Sequence, residues 1–133
     1  MNVMRKVFRS ERRKTNYFQM SSFKEVPVFK ACYDLNIEFF NLQKKKLSRS
    51  AKYTIGDRLI NNSLSLLSDI QRAMVDGNRK IVLEVALERV GIIRVLIRLL
   101  KDTDELSTKE LIRYATRVEN ISKQLTGWYS KSK

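Results

Sequence analysis

The chain has 133 residues, of which 43% are apolar and 31% charged, with only four glycines and one proline. That is enough for one domain burying about two thirds of its unfolded surface, and too few turn formers for a strand-rich fold. A formal charge of +13, from 27 Lys+Arg against 14 Asp+Glu, points to a polyanionic partner without constraining the fold. With no histidine and a single cysteine, Cys32, an intramolecular disulfide, a His-dependent nuclease and most triads and metal sites are excluded.

Residues 1 to 22 carry Arg5, Lys6, Arg9, Arg12, Arg13 and Lys14 against Glu11 alone, a net +5 that leaves +8 on residues 23 to 133. They read as a basic arm: a nucleic-acid-binding extension, a frayed helix, or an upstream start ahead of an initiator at Met20. No apolar run of signal-peptide or membrane-span length occurs, which sets a cytoplasmic expectation.

The first helix is predicted to begin at Val26-Pro27, since proline suits a first helical turn, and to end near Lys44. Its apolar line runs Phe29, Tyr33, Ile37, Phe40, widened by Val28, Cys32, Leu35, Phe39 and Leu42. Cys32 reads as a small core hydrophobe. Next comes a loop from about 45 to 52 in which Lys45, Lys46, Arg49 and Lys52, with Lys44 before them, present five positive charges and no carboxylate.

A second helix opens at Tyr53-Thr54, with Thr54 as candidate N-cap and Asp57 favouring the positive helix end. Its buried line is Ile55, Leu59, Ser63, Leu66, Ile70 and Met74, with Ile60, Leu64 and Leu67 beside it, and Asp76-Gly77-Asn78 stops it. The third helix, 79 to 102, is apolar around most of its circumference, interrupted by one polar line of Glu84, Glu88, Gly91, Arg94, Arg98 and Lys101. An arc that wide must bury more than one face, against its own bundle and against another subunit. Ser107-Thr108-Lys109-Glu110 is a capping box that starts the fourth helix, whose stripe is Leu111, Tyr114, Ala115, Val118, Ile121, Leu125 and Trp128. Four helices of about 18 to 24 residues with short connections describe an all-α, antiparallel up-down bundle.

No Gly-rich phosphate loop is present, and Asp102, Asp104 and Glu105 read as a solvated turn in preference to a cation site. No catalysis, metal or cofactor is expected. Arg94 and Arg98 lie four apart, where like charges repel. The negative helix C-terminus and Asp102 offer one compensation, and a bound phosphate offers another. Arg58 and Arg72 share an azimuth of the second helix, and Arg79 and Lys80 begin the third, so a basic strip could cross that seam. With weak aromatic interleaving the expected recognition is of backbone or shape, and Trp128 and Tyr129 read as core or interface.

Four blocks in order carry a resemblance: Val26-Pro27-Val28-Phe29-Lys30, Lys52-Tyr53-Thr54-Ile55-Gly56-Asp57-Arg58-Leu59, Ile93-Arg94-Val95-Leu96-Ile97-Arg98-Leu99-Leu100, and Ile121-Ser122-Lys123-Gln124-Leu125-Thr126-Gly127-Trp128. Over about residues 23 to 131 the chain resembles the accessory variability determinant (Avd) proteins of diversity-generating retroelements, with Thr126 where a first glycine is more typical. The resemblance implies a four-helix bundle assembling into a homopentameric barrel in a bacterial or phage-infected cell. It also implies binding to the retroelement's reverse transcriptase and its template RNA during mutagenic cDNA synthesis, with Arg58, Arg94 and Arg98 at the family's basic positions. The competing expectation is a protein adaptor bundle of ribosome-associated type, with charge serving solubility and arginines in internal ion pairs such as Arg98 with Asp102.

Overall fold

In a computed structural model the described residues are 26 to 133; the basic arm expected over residues 1 to 22 lies outside them. They form four long helices and one short one, with no strand among them: α1 Pro27–Lys45, α2 Arg49–Lys52, α3 Ile55–Val75, α4 Arg79–Asp102 and α5 Thr108–Lys131. α1 packs on α3, α3 on α4, α4 on α5, and α5 closes on α1, so consecutive long helices run antiparallel and α1 and α4 occupy opposite corners. The upper end gathers the start of α1, the α3–α4 turn and the end of α5. The lower end holds α2 and the α4–α5 connection.

The helix boundaries have local causes. Pro27 sits in the first turn of α1, where its missing N–H removes no intrahelical bond. The capping box before α5 forms as the sequence predicts, Ser107 Oγ accepting from Glu110 N and Glu110 Oε1 accepting from Ser107 N. Thr54 does not cap α3: its hydroxyl donates backwards to the Ser50 carbonyl at 2.7 Å. α3 ends before Asp76-Gly77-Asn78 as expected, but no glycine adopts a positive φ. Instead Arg79 Nε donates to the Ala73 carbonyl at 2.7 Å, satisfying one of the acceptors a helix end leaves open.

Two expectations are corrected. The buried face of α1 is Val28, Phe29, Cys32, Leu35, Phe39 and Leu42, whereas Ile37 and Phe40, expected on the main apolar line, are 49% and 52% exposed. Both seams step by three and four, so periodicity alone could not rank them. The 45 to 52 segment is not a solvated loop: it contains α2, and Leu47 and Ala51 are buried. α4 carries its apolar arc as read. Val82, Leu83, Ala86, Val90, Ile93, Ile97 and Leu100 enter the core while Ile81, Ile92, Val95 and Leu99 face outward.

Gly56 is where α2 folds back on α3. A Cβ there would lie 2.7 Å from Leu47 Cδ1 and 3.1 Å from the Ala51 carbonyl oxygen. Gly127 of the glycine-tryptophan ending meets nothing within 4 Å and lies within α5. Gly56→Ala is therefore expected to destabilise the fold by about 1–3 kcal/mol, as overpacking does. Gly127→Ala should stabilise it by about 0.5–1 kcal/mol through helix propensity. Urea denaturation of both variants checks the opposite signs.

Candidate nucleic-acid interface

The lower end is built by two carboxylates. Glu105 accepts from both the backbone N and the Oγ of Ser48, at 2.9 and 2.7 Å, and Ser48 in turn caps α2 through Ala51 N. Glu110, already closing the capping box of α5, accepts from Lys46 Nζ at 2.5 Å. Leu47 and Leu106 are buried in the core cluster beneath these bonds. The result fixes a short helix whose own cations, Arg49 and Lys52, form no ion pair with a described residue. Among the described residues Lys44, Lys45, Arg49, Lys52 and Arg58 form no ion pair. Lys44 rests 5.5 Å over the Phe40 ring, and Lys45, Arg49 and Arg58 are exposed. Tyr53 stands in their midst, 70% exposed. The ring stands at the break between α2 and α3, next to Lys52 and five residues before Arg58, and an exposed aromatic face of this kind suits stacking by an unpaired base.

At the upper end the predicted strip divides. Arg72 is exposed without an ion pair, but Arg79 and Lys80 are half-buried and occupied. Arg79 lies 5.3 Å over Trp128 and Lys80 4.7 Å over Tyr129. Trp128 and Tyr129 pack against the core, as the core reading of these rings expects. Here the cations serve packing of the α5 terminus.

The arginines of the C-terminal half of α4 are ion-paired. Arg94 binds Glu119 through Nε at 2.5 Å and Nη2 at 3.2 Å and also donates to Ser122 Oγ at 2.9 Å. Arg98 pairs with Asp102 at 3.2 Å. The compensation for the Arg94/Arg98 repulsion is thus carboxylate within the protomer, and Asp102 and Glu105 are engaged by Arg98 and Ser48. No cluster of three or more acidic, cysteine or histidine residues suited to a metal occurs among the described residues.

Two pairings were not anticipated from the sequence. Asp69, 2% exposed, is held by Arg89 Nε at 2.6 Å. Glu38 on α1 takes Arg113 at 3.0 Å and also Arg117, both from α5, beside the Phe39–Tyr114 ring contact at 5.4 Å. The only signal for the first is an acid adjoining Ile70 on a buried line, which demands a cation without naming it. Nearby, Asn36 Nδ2 donates to the carbonyls of Cys32 and Ser63, and burial pushes the Cys32 thiol up to about 12. It is an inert core group.

No family model, curated protein or solved structure matches the chain.

The geometry separates strong pairs from weak ones. Arg89→Met, which leaves the Asp69 carboxylate buried and unpaired, is expected to cost about 3 kcal/mol or more. Arg94→Gln, at an exposed pair, should cost less than about 1 kcal/mol, and chemical denaturation checks the contrast. Hydrogen bonds from Ser48 hold the Glu105 carboxyl below its ordinary 4.5. A depressed carboxyl contributes stability present above the unfolded value and lost as pH falls through the folded one. Glu105→Gln should therefore lower the melting temperature at neutral pH, with the gap to the parent closing as pH drops below 4.5; a gap independent of pH would assign the loss to packing.

Proposed function

We propose that this protein is a non-catalytic, homo-oligomeric accessory factor that binds template RNA or an RNA–DNA hybrid and the reverse transcriptase of a diversity-generating retroelement, in the bacterial cytoplasm. The observation supporting RNA binding is the lower end: five cations without an ion pair, held on a clamped helix break around exposed Tyr53. Phosphates would neutralise the cations and release counterions, giving affinity without sequence readout. Tyr53 would favour an unpaired base over a duplex. The reverse transcriptase, and five protomers in a barrel, rest on the resemblance in the four sequence blocks. In that assembly the lower-end patches repeat around a ring and act together by avidity, while the polymerase supplies the chemistry. No described helix is long and apolar enough to cross a membrane, which accords with this setting.

A second reading, a protein adaptor whose arginines are structural, is favoured by the Arg94–Glu119 and Arg98–Asp102 pairs. Exposed pairs of this kind are worth little, so phosphate can compete for either guanidinium, and the two readings differ in what salt does.

Fluorescence anisotropy with single-stranded RNA across a salt series separates them. Affinity should fall steeply with salt. Joint substitution of Lys45, Arg49, Lys52 and Arg58 by Ala should weaken binding at least about tenfold and flatten the log–log slope by about 0.7 for each phosphate no longer neutralised. Tyr53→Ala should weaken single strands more than duplexes. Salt-independent or undetectable binding would favour the adaptor, and a loss confined to Arg94→Gln/Arg98→Gln would move the site to α4.

A further inference from the structure

At the upper end the four long helices meet around a cavity of about 500 Å³. Val26 and Val28 at the start of α1, Met74 of α3 and Trp128 of α5 give it apolar walls, and Arg79 of α4 and Gln124 of α5 are its hydrogen-bonding side chains. An apolar surround of that size with a few convergent polar groups suits a small organic ring.

The protomer leaves both polar groups with donors to spare. Arg79 lies 5.3 Å over the Trp128 ring and gives its Nε to the Ala73 carbonyl. The ring takes the face of the guanidinium, whereas its donors lie along the edge. The two Nη atoms have no hydrogen bond or ion pair among the described residues, and neither has the Gln124 amide. α4 also begins here without a side-chain cap, so the N–H groups of its first turn are open to an anion. A path of cations leads to this end from the lower one. Arg58 and Arg72 on α3 are exposed and without ion pairs; they stand about 21 Å apart and within about 40° of one another around the helix. Met74, two residues after Arg72, is already a wall of the cavity.

We infer that this cavity takes an unpaired guanine of a strand that runs along α3 from the lower end. Guanine offers flat apolar faces to Val26, Val28, Met74 and Trp128, and an edge with two adjacent acceptors. An arginine fork binds that O6/N7 pair bidentately, and a glutamine carbonyl can accept from the neighbouring ring N–H. Adenine sets an amino group where the fork needs an acceptor. This rests on the RNA binding in the proposed function and adds to it a base-reading site at the opposite end of the bundle.

The test is the fluorescence of Trp128, the only tryptophan in the chain, in the full-length protein. GMP should change its emission saturably, and AMP should need at least about ten times the concentration, the discrimination of one bidentate arginine contact. A uridine oligonucleotide with one central guanosine should act at lower concentration than GMP, while its all-uridine counterpart binds without changing the emission. Arg79→Lys keeps the charge and gives up the fork, so it should bring GMP and AMP level. Gln124→Leu should weaken GMP by about three- to tenfold and leave the all-uridine strand unaffected. Circular dichroism confirms that both variants fold, and if Arg79→Lys does not, Gln124→Leu decides alone. Equal responses to GMP, AMP and inorganic phosphate would reduce the site to a bare cation and overturn the inference. A silent Trp128 while anisotropy shows the guanosine strand bound would overturn it too, with the lower-end reading intact. A response to GMP but not to the guanosine strand would make the cavity a free-nucleotide site and overturn the strand assignment. If anisotropy shows neither strand bound, the proposed function fails and the inference with it.

Discussion

A scarcity of carboxylates organises this molecule. Residues 26 to 133 contain twenty lysines and arginines and twelve aspartates and glutamates, so however the acids are placed, cations must be left over. Six acids hold cations, and several of the pairs stitch helix to helix: Glu38 joins α1 to α5, Asp69 joins α3 to α4, and Glu119 joins α4 to α5. Glu105 and Glu110 then fix the lower end. Part of the surplus positive charge gathers at the lower end, where Lys44 and Lys45 end α1, Arg49 and Lys52 lie on α2 and Arg58 follows in the first turn of α3, none of them in an ion pair with a described residue. A charge that is held in place and left unneutralised is what a polyanion can use.

The same placement explains why α1 and α5 stay together. α5 is the most polar of the long helices, yet Glu38 receives two guanidiniums at the seam where the Phe39 and Tyr114 rings meet. Buried Asp69 works differently. It is buried within α3 and matched by a single arginine from α4, so losing that arginine would strand a buried charge.

Much of the fold can be read from the chain, because local rules dominate it. The α4 span of 79 to 102, the capping box at Ser107 and the stop after Val75 follow from caps and periodicity that act within a few residues. Relations between segments are what periodicity does not carry. Which of two 3,4 seams of α1 faces inward depends on the other helices, and so Ile37 and Phe40 read as core when they are surface. The basic run after Lys44 hides a helix because its four residues are too few to show a period, and the Glu105 carboxylate that holds its capping Ser48 lies 57 residues away. Of the candidate site residues, Arg49, Lys52 and Arg58 lie on the clamped lower end, Arg79 and Lys80 are taken by aromatic rings, and Arg94 and Arg98 are ion-paired. Tyr53 is visible in the sequence as a residue but not as a surface, since its exposure arises from the break between α2 and α3.

The central claim, that unneutralised cations at the clamped end grip phosphates, is tested most directly by lysine-reactive footprinting read by mass spectrometry, with and without single-stranded RNA. RNA should protect Lys44, Lys45 and Lys52 while leaving Lys30 at its unbound reactivity. Equal protection of all these lysines, or none, would contradict the account.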